Sequence, residues 1–553
     1  MMLMDLSTQR YYPRGIGVLC LCCLLGSIAP AGGTAAESQL GNVEFEISCN
    51  RQAQASFNEA VAWLHSFEYE RAEDTFNEVL DRDASCAMAY WGMAMSLWHQ
   101  LWATPPDPVD LARGADYMEL AQALPSKSNR ESGYIEAISA FYADVDEFDH
   151  RTRALAYQKA MGELHSSHPE DREASIFYAL SLLATARPTD KTFKNQLKSG
   201  ALLEAVLDDN PDHPGITHYI IHSYDYPELA EQGLQAARRY AEIAPASAHA
   251  NHMPSHIFTR RGLWRESIAT NLNAAAAGRA FAQSRGMQGR WEEEIHAISY
   301  LMYAYLQGAQ DTKARDILED TRTIEAVQPV GIKVAYPFAA NPARFVLERQ
   351  AWSDAATLTA LPEWFPWESY PAAHAITYFT RALGAARMGD SKQATAELKM
   401  LRKLRQALPA DASAYWHAQF EVQTNAADAW IAHAEDRKEE ALTLMRSAAD
   451  LEDSVDKLPI TAGEVLPARE LLADMLLEQG DAARALEEYE AVLLAAPNRF
   501  NALFGAGSAA DRMGDEVKAR FYYEALLAQS KLSDGTRPAL EYARDFLSDQ
   551  SVR

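Results

Sequence analysis

The feature that most constrains the fold is a 34-residue period near the C-terminus. A glycine, an alanine and a tyrosine recur 34 residues later in the same order: Gly480, Ala485 and Tyr489, then Gly514, Ala519 and Tyr523. A period of this length is typical of stacked supersecondary units, none of which can bury its apolar face alone. The glycine suits a turn between two helices, and the alanine permits close helix packing. The period therefore predicts an all-α solenoid of helix pairs.

The same register identifies further units, less regularly, between residues 50 and 530. The clearest lie at residues 53–86 and 248–281, and weaker ones at 389–394 and 436–441. Ala-rich segments with 3.6-residue periodicity fill the intervals, and alternation of β-branched residues is rare. Residues 100–170 and 310–370 fit the register poorly, so we expect insertions there.

These units resemble the tetratricopeptide repeat (TPR) in their Gly-Asp turn, small residue, aromatic residue and terminal proline. The whole chain is also similar to a group of exported bacterial tetratricopeptide proteins in three strings: CAMAYWGMAMS (Cys86–Ser96), HYIIHSYDYPELA (His218–Ala230) and HMPSHIFTRRGLW (His252–Trp264). The resemblance implies a right-handed superhelix whose first helices line a concave groove. It implies no established activity.

We expect five segments along the chain. They are a signal peptide at 1–36, an N-terminal TPR-like array at 37–310, an irregular region rich in aromatic residues and proline at 311–374, a C-terminal TPR array at 375–530, and a tail or capping helix at 531–553.

The N-terminus has the pattern of a secretory signal. Arg10 and Arg14 precede an apolar run at 16–28, and small residues follow as far as Ala36. We predict cleavage near Ala36, with a retained membrane anchor as the alternative, and a periplasmic or secreted mature protein without a membrane association. After cleavage only Cys49 and Cys86 remain. In an oxidising compartment they predict one disulfide, and two buried free thiols are the alternative.

Composition and missing motifs narrow the function. The net charge of −26 gives no electrostatic footprint for nucleic acid. A His-Glu-x-x-His zinc motif, a Walker loop, a Rossmann glycine fingerprint and a Gly-x-Ser-x-Gly elbow are all missing from the sequence. Among enzyme chemistries, only metal-assisted catalysis has support.

That support comes from histidines placed in register with the repeat. His218 and His252 are 34 residues apart, and so are His222 and His256. Residues at i and i+4 share one face of a helix. By the resemblance, these slots face the groove; His249 shares the second helix and His296 falls on the next. Imidazoles from neighbouring helices can reach a common ion. Neutral imidazole suits Cu, Zn, Fe or Ni.

Further groove residues are predicted around this cluster: His65, His99, Tyr224, Asp225, Arg260 and Glu293. The acidic members could orient a ligating ring. For single histidines such as His65, His99 and His296, ordinary packing is the alternative. Pro254 removes a backbone donor within the second histidine helix, so we expect a kink or a new first turn there.

Two functions follow from these observations. The first is an exported TPR binding protein whose groove holds a His-ligated transition-metal ion and binds a protein, a peptide or a small ligand. The alternatives are a metal-dependent oxidoreductase or hydrolase using the same histidines, and an interaction scaffold without metal.

Overall fold

The computed structural model describes residues 39–101, 105–125, 128–409, 412–534 and 537–549. The predicted signal peptide lies outside these residues, and so does its cleavage site. Within them, no helix combines the length and apolar character needed to cross a membrane.

The described chain is almost entirely helical. In order, its helices are α1 (Arg51–His65), α2 (Tyr69–Arg82), α3 (Ala87–Leu97), α4 (Pro108–Ala123), α5 (Asn129–Tyr142), α6 (His150–Ser167), α7 (Arg172–Ala184), α8 (Lys194–Leu207), α9 (Pro214–Tyr224), α10 (Leu234–Ile243), α11 (Ala248–His252), α12 (Pro254–Arg260), α13 (Trp264–Ser284), α14 (Glu292–Gln307), α15 (Asp311–Arg322), α16 (Ile332–Leu347), α17 (Trp352–Ala356), α18 (Pro371–Arg387), α19 (Ser391–Ala407), α20 (Ala414–Ala434), α21 (Lys438–Asp453), α22 (Ala468–Glu478), α23 (Ala482–Ala495), α24 (Phe500–Arg512), α25 (Glu516–Gln529) and α26 (Pro538–Asp549).

Consecutive helices pack against each other in pairs, such as α1 with α2 and α22 with α23, and a short turn joins the two helices of each pair. The turn glycines Gly480 and Gly514 have φ of 88° and 73°, a left-handed conformation that favours glycine. The small residues in the repeat register are completely buried, including Ala485 and Ala519. The turn and the close packing are thus those predicted from the period, and the fold is a TPR-like all-α solenoid.

The segment at 311–374 contains α15, α16 and α17, and its longest non-helical stretches are 323–331 and 357–366. A 3₁₀ turn at Trp367–Ser369 leads into α18. Two two-residue strands, β1 (Arg290–Trp291) and β2 (Val327–Gln328), pair in parallel. They tie the start of α14 to the chain just before α16.

The predicted disulfide is present between Cys49 and Cys86. It joins the segment before α1 to the residue before α3. Closing a loop of this length stabilises a fold by about 4 kcal/mol through the entropy of the unfolded chain.

The C-terminal half folds back onto the middle of the array. We call residues 455–467, which connect α21 to α22, the inner segment. Within it, Asp456 pairs with Lys191 at 2.7 Å, and Lys457 reaches Asp225 at the end of α9 at 3.0 Å. Beyond it, the indole of Trp264 donates to the carbonyl of Asn498. At the end of α9, the predicted groove is therefore occupied by the inner segment of the same chain.

Candidate metal centre

The first helices of three consecutive units bring the six predicted histidines together. They are His218 and His222 on α9, His249 and His252 on α11, His256 on α12, and His296 on α14. All are buried, and His222, the most accessible, is only 7% exposed. Their imidazoles divide into two groups of three whose ligand atoms lie within 4.8 Å of one another.

The first triad consists of His218, His222 and His249. The Nε2 atom of His218 lies 3.1 Å from Nε2 of His222 and 3.2 Å from Nε2 of His249. Two nitrogens bound to one tetrahedral ion at about 2.0–2.1 Å are about 3.3 Å apart. The spacing of these nitrogens is therefore close to that of a metal site.

The second triad consists of His252, His256 and His296. The Nε2 atoms of His252 and His256 are 3.0 Å apart, and the His296 ring centroid lies 4.4 Å from that of His252. His296 has a buried Nδ1 atom without a hydrogen-bond partner among the described residues. The two triads adjoin, because the His222 and His256 ring centroids are 6.2 Å apart.

The other ring nitrogens fix the tautomers of several of these histidines. Nδ1 of His218 lies 2.6 Å from the carbonyl oxygen of His65, so it must donate. Nδ1 of His252 lies 2.7 Å from the amide oxygen of Asn271, whose amide nitrogen donates to Ser267. Each neutral ring carries one N–H, so Nε2 of both histidines is a bare lone pair.

The same holds for His256, whose Nδ1 lies 2.8 Å from a carboxylate oxygen of Asp225. The lone pairs of His252 and His256 therefore face each other at 3.0 Å in a buried site. Two acceptors at this distance repel unless a cation lies between them or one ring is protonated.

Protonation is opposed by the surroundings. Burial and neighbouring imidazoles hold the pKa values of His218, His252 and His296 well below the ordinary 6.5. Burial also lowers the pKa of His256 to about 4, despite the raising effect of Asp225. At neutral pH the two triads are thus neutral nitrogen donors, the state in which imidazole binds metal.

Each triad has one histidine whose Nδ1 faces a carboxylate that is paired with a buried lysine. In the second triad, Oδ2 of Asp225 accepts from His256 and also pairs with Lys457, and Oδ1 accepts from Arg260 at 2.9 Å. Burial alone would raise the pKa of Asp225, but these cations hold it well below its usual range. The carboxylate is ionised and orients the ring.

The first triad repeats this arrangement. Nδ1 of His249 lies 3.7 Å from a carboxylate oxygen of Glu293, and the ammonium of Lys333 pairs with the other carboxylate oxygen. Although burial opposes ionisation, Lys333 and His249 keep the pKa of Glu293 well below 4.5. The carboxylates were predicted from the sequence, whereas the two lysines were not, because they come from distant elements.

Pro254 breaks the second histidine helix. The chain interrupts its helix at Met253, and Pro254 becomes the first residue of α12. Proline suits that position because its missing N–H has no helical acceptor there. The break leaves Nε2 of His252 and His256 facing one another.

Not every predicted groove residue joins the triads. Asp225, Glu293 and Arg260 lie beside them, as described above. The hydroxyl of Tyr224 instead donates to Glu204, and the His99 ring stacks on Tyr69 with centroids 4.0 Å apart.

His65 belongs to a separate buried group that the sequence did not indicate. Its Nε2 lies 3.0 Å from one oxygen of Glu173, and His213 Nε2 lies 2.9 Å from the other. Nδ1 of His65 contacts the hydroxyl of Tyr219 at 3.0 Å. These polar atoms satisfy one another, so this group is a hydrogen-bonded support under His218.

The chain matches no protein-family model and no curated protein. Among solved structures, three examples show similarity to this chain. The TPR domain of P58(IPK) is 14% identical, covers 69% of this chain and 100% of its own, and has a TM-score of 0.22. The human IFIT1 dimer with PPP-AAAA is 12% identical, with coverage of 85% and 88% and a TM-score of 0.34. Naa15/Naa10 bound to HypK-THB is 13% identical, with coverage of 90% and 74% and a TM-score of 0.23. At these scores the fold rests on the chain's own helix pairs and turns.

Proposed function

We propose that this protein is a helical-repeat metalloprotein that holds two transition-metal ions, one in each histidine triad. One observation carries the proposal. The Nε2 atoms of His252 and His256 lie 3.0 Å apart with their lone pairs facing each other, while Nδ1 of each ring already donates to another residue. A cation between the nitrogens converts this repulsion into coordination. The carboxylates of Asp225 and Glu293 would orient the ligating rings.

The donor set limits which ions suit the site. It consists of neutral imidazoles, and the two cysteines of the described chain are joined in the disulfide. Copper, zinc, iron and nickel are the ions that imidazole binds well. A hard ion such as Mg²⁺ or Ca²⁺ prefers oxygen ligands and is disfavoured.

Metal-dependent catalysis is the second candidate function. Each triad supplies three protein nitrogens, and three protein ligands with one open position are typical of catalytic rather than structural zinc sites. The adjacent triads therefore favour a catalytic centre over a closed structural ion.

Export and partner binding complete the proposal. The disulfide is consistent with an oxidising compartment, in agreement with the predicted signal peptide. TPR-like solenoids commonly present extended binding surfaces. Because the inner segment occupies the predicted groove beside the histidines, we place any protein or peptide partner on another surface of the array.

Elemental analysis of the purified protein tests the metal site. We expect two ions per chain in the wild type and none in the variant in which His218, His222, His252 and His256 are all changed to Ala. A matched control changes four histidines outside the triads to Ala: His165, His168, His374 and His417. The control should keep both ions and the same helical circular dichroism.

Single substitutions guard against a variant that fails to fold. His222→Gln and His296→Gln each remove one ligand from a different triad, so each should retain about one ion of the two. The proposal is wrong if the folded wild type, loaded with copper or zinc and dialysed, retains no ion, or if both single variants bind as the wild type does.

A further inference from the structure

A cavity of about 280 Å³ lies between the end of α3, the start of α16 and the inner segment. Its wall is mainly apolar, with Leu97 from α3, Ile332 from α16, and Leu458, Pro459 and Ile460 from the inner segment. A concave, mostly apolar cavity with a few polar groups on its wall is typical of small-molecule sites, and this volume is at the lower end of their range. The cavity is therefore a candidate ligand site.

The charged groups on the wall of this cavity already have partners. The ammonium of Lys333 pairs with the carboxylates of both Glu292 and Glu293. At the start of α4, the carboxylate of Asp107 accepts from two backbone N–H groups, and that of Asp110 pairs with an arginine at 3.0 Å. A charged ligand would lose its hydration here without gaining a free counter-ion. The wall therefore favours an uncharged ligand.

The cavity adjoins the first triad through an ion pair. Lys333, on the cavity wall, pairs with one carboxylate oxygen of Glu293. The other oxygen lies 3.7 Å from Nδ1 of His249. One carboxylate therefore separates the wall of the cavity from a histidine of this triad.

A stack of rings connects the cavity with the same triad. His99, also on the wall, stacks on Tyr69 with ring centroids 4.0 Å apart. Tyr69 in turn stacks on Phe67 at 5.3 Å, and the Phe67 ring lies 4.4 Å from that of His218. Two independent sets of contacts thus place the cavity beside the histidines.

We infer that this cavity binds one small, uncharged apolar molecule beside the first triad. An apolar cavity of about 150 Å³ binds benzene, so the larger volume here accommodates a hydrocarbon of two rings. Removal of apolar surface from water, on the ligand and on the wall, provides the affinity. The inference goes beyond the proposed metal site and does not depend on it, because none of the wall residues is a proposed metal ligand.

Naphthalene is the probe for this site, and its proton NMR signals report binding. We expect one naphthalene per chain. The charged analogues 2-naphthoate and 2-naphthylmethylammonium should bind about tenfold more weakly or worse, because the wall offers no free counter-ion. The inference is wrong if naphthalene does not bind or if either charged analogue binds as tightly.

A cavity-filling variant locates the probe. The half-buried Ile332 lines the cavity, and Ile332→Trp should weaken naphthalene binding by about tenfold or more because the indole occupies the space. Val330→Trp is the matched control, since Val330 is 47% exposed and lies outside the wall. Equal binding by the two variants would place the probe elsewhere. If Ile332→Trp does not fold, as judged by circular dichroism, the comparison of the three probes on the wild type still decides.

Copper(II) measures the proximity of the probe to the triads. The relaxation caused by its unpaired electron falls steeply with distance, so naphthalene signals should broaden more in the copper-loaded protein than in the zinc-loaded protein. Naphthalene that binds without this broadening, although copper is bound, would contradict the location beside the first triad. If no copper binds, the metal site is wrong, and naphthalene binding to the metal-free chain tests the cavity by itself.

Discussion

At the scale of residues, burial keeps the six histidines of the two triads neutral, the state in which imidazole can bind metal. Six imidazoles lie in a site with almost no exposure to solvent, and neighbouring rings further disfavour positive charge. The carboxylates of Asp225 and Glu293 would draw protons toward the rings, but each is paired with a lysine. The site therefore offers nitrogen lone pairs at neutral pH instead of imidazolium ions.

This arrangement predicts an acid-labile fold in the metal-free protein. The pKa values of these histidines are lowered on folding, so below pH 6.5 the unfolded chain binds protons that the folded chain does not. The stability that the neutral histidines contribute is then fully present above pH 6.5 and is lost as the pH decreases. For each such histidine, the free energy of unfolding decreases by up to about 1.4 kcal/mol per pH unit as the pH falls. Urea unfolding between pH 7 and pH 5 measures the slope.

A double variant isolates the histidines from other titrating groups. Glu68, whose pKa is raised by burial to about 7, acts in the opposite direction but is common to both proteins. The slope for the variant His222→Gln/His296→Gln should be smaller than that of wild type, by up to about 2.8 kcal/mol per pH unit. The control variant His168→Gln/His417→Gln changes two histidines outside the triads and should keep more of the wild-type slope. Equal slopes in the wild type and the double variant would contradict the explanation.

At the scale of elements, the position of α9 decides where the first triad lies. Near its start, Gly215 packs directly on α1: a Cβ atom there would come within 2.5 Å of Nδ1 and 2.7 Å of Cγ of His65. The carbonyl of His65 in turn accepts from His218. Close approach of the two helices therefore sets the ring orientation of His218, a proposed metal ligand.

Gly215→Ala should consequently disturb both stability and metal binding. Forcing extra volume into a packed contact costs about 1–3 kcal/mol, and we expect a decrease of that size in unfolding free energy together with weaker binding at the first triad. Gly331→Ala is the control, because its backbone is extended and a Cβ atom there meets nothing within 4 Å. Calorimetry and chelator competition on the two variants make the comparison. Wild-type affinity in a destabilised Gly215→Ala would show that α9 tolerates the shift.

The sequence predicted the elements better than it predicted their neighbours. The 34-residue spacing of His218 with His252 and of His222 with His256 depends only on local periodicity, which is why both pairs could be assigned to first helices. Lys457, by contrast, lies 232 residues from Asp225 and reaches it through the inner segment, which has no helical period. Glu173 and His213 were also missed, because they lie outside the histidine register. Contacts between distant units leave no periodic signal.

At the scale of the whole molecule, the fold-back of the C-terminal repeats turns a predicted open groove into an interior. Tyr300 on α14 donates to the inner segment, and Lys457 of that segment pairs with Asp225 at the end of α9. The histidine layer is thus enclosed by first helices on one side and by a connection from the far half of the chain on the other. Metal at this position would join α9, α11, α12 and α14 beneath the inner segment, which itself lies more than 200 residues from Asp225 along the chain.

Metal binding should therefore stabilise the entire chain. An ion that binds only the folded state adds about 4.1 kcal/mol when its free concentration is 1,000 times Kd, so two ions add about twice that. We expect the melting temperature to rise on loading with copper or zinc, and amide exchange to slow in α9, α11, α12, α14 and the inner segment. His296→Gln, with one intact triad, should gain about half the stabilisation. Slower exchange confined to α9 and α11 would show instead that metal organises the first triad alone, leaving the inner segment independent of it.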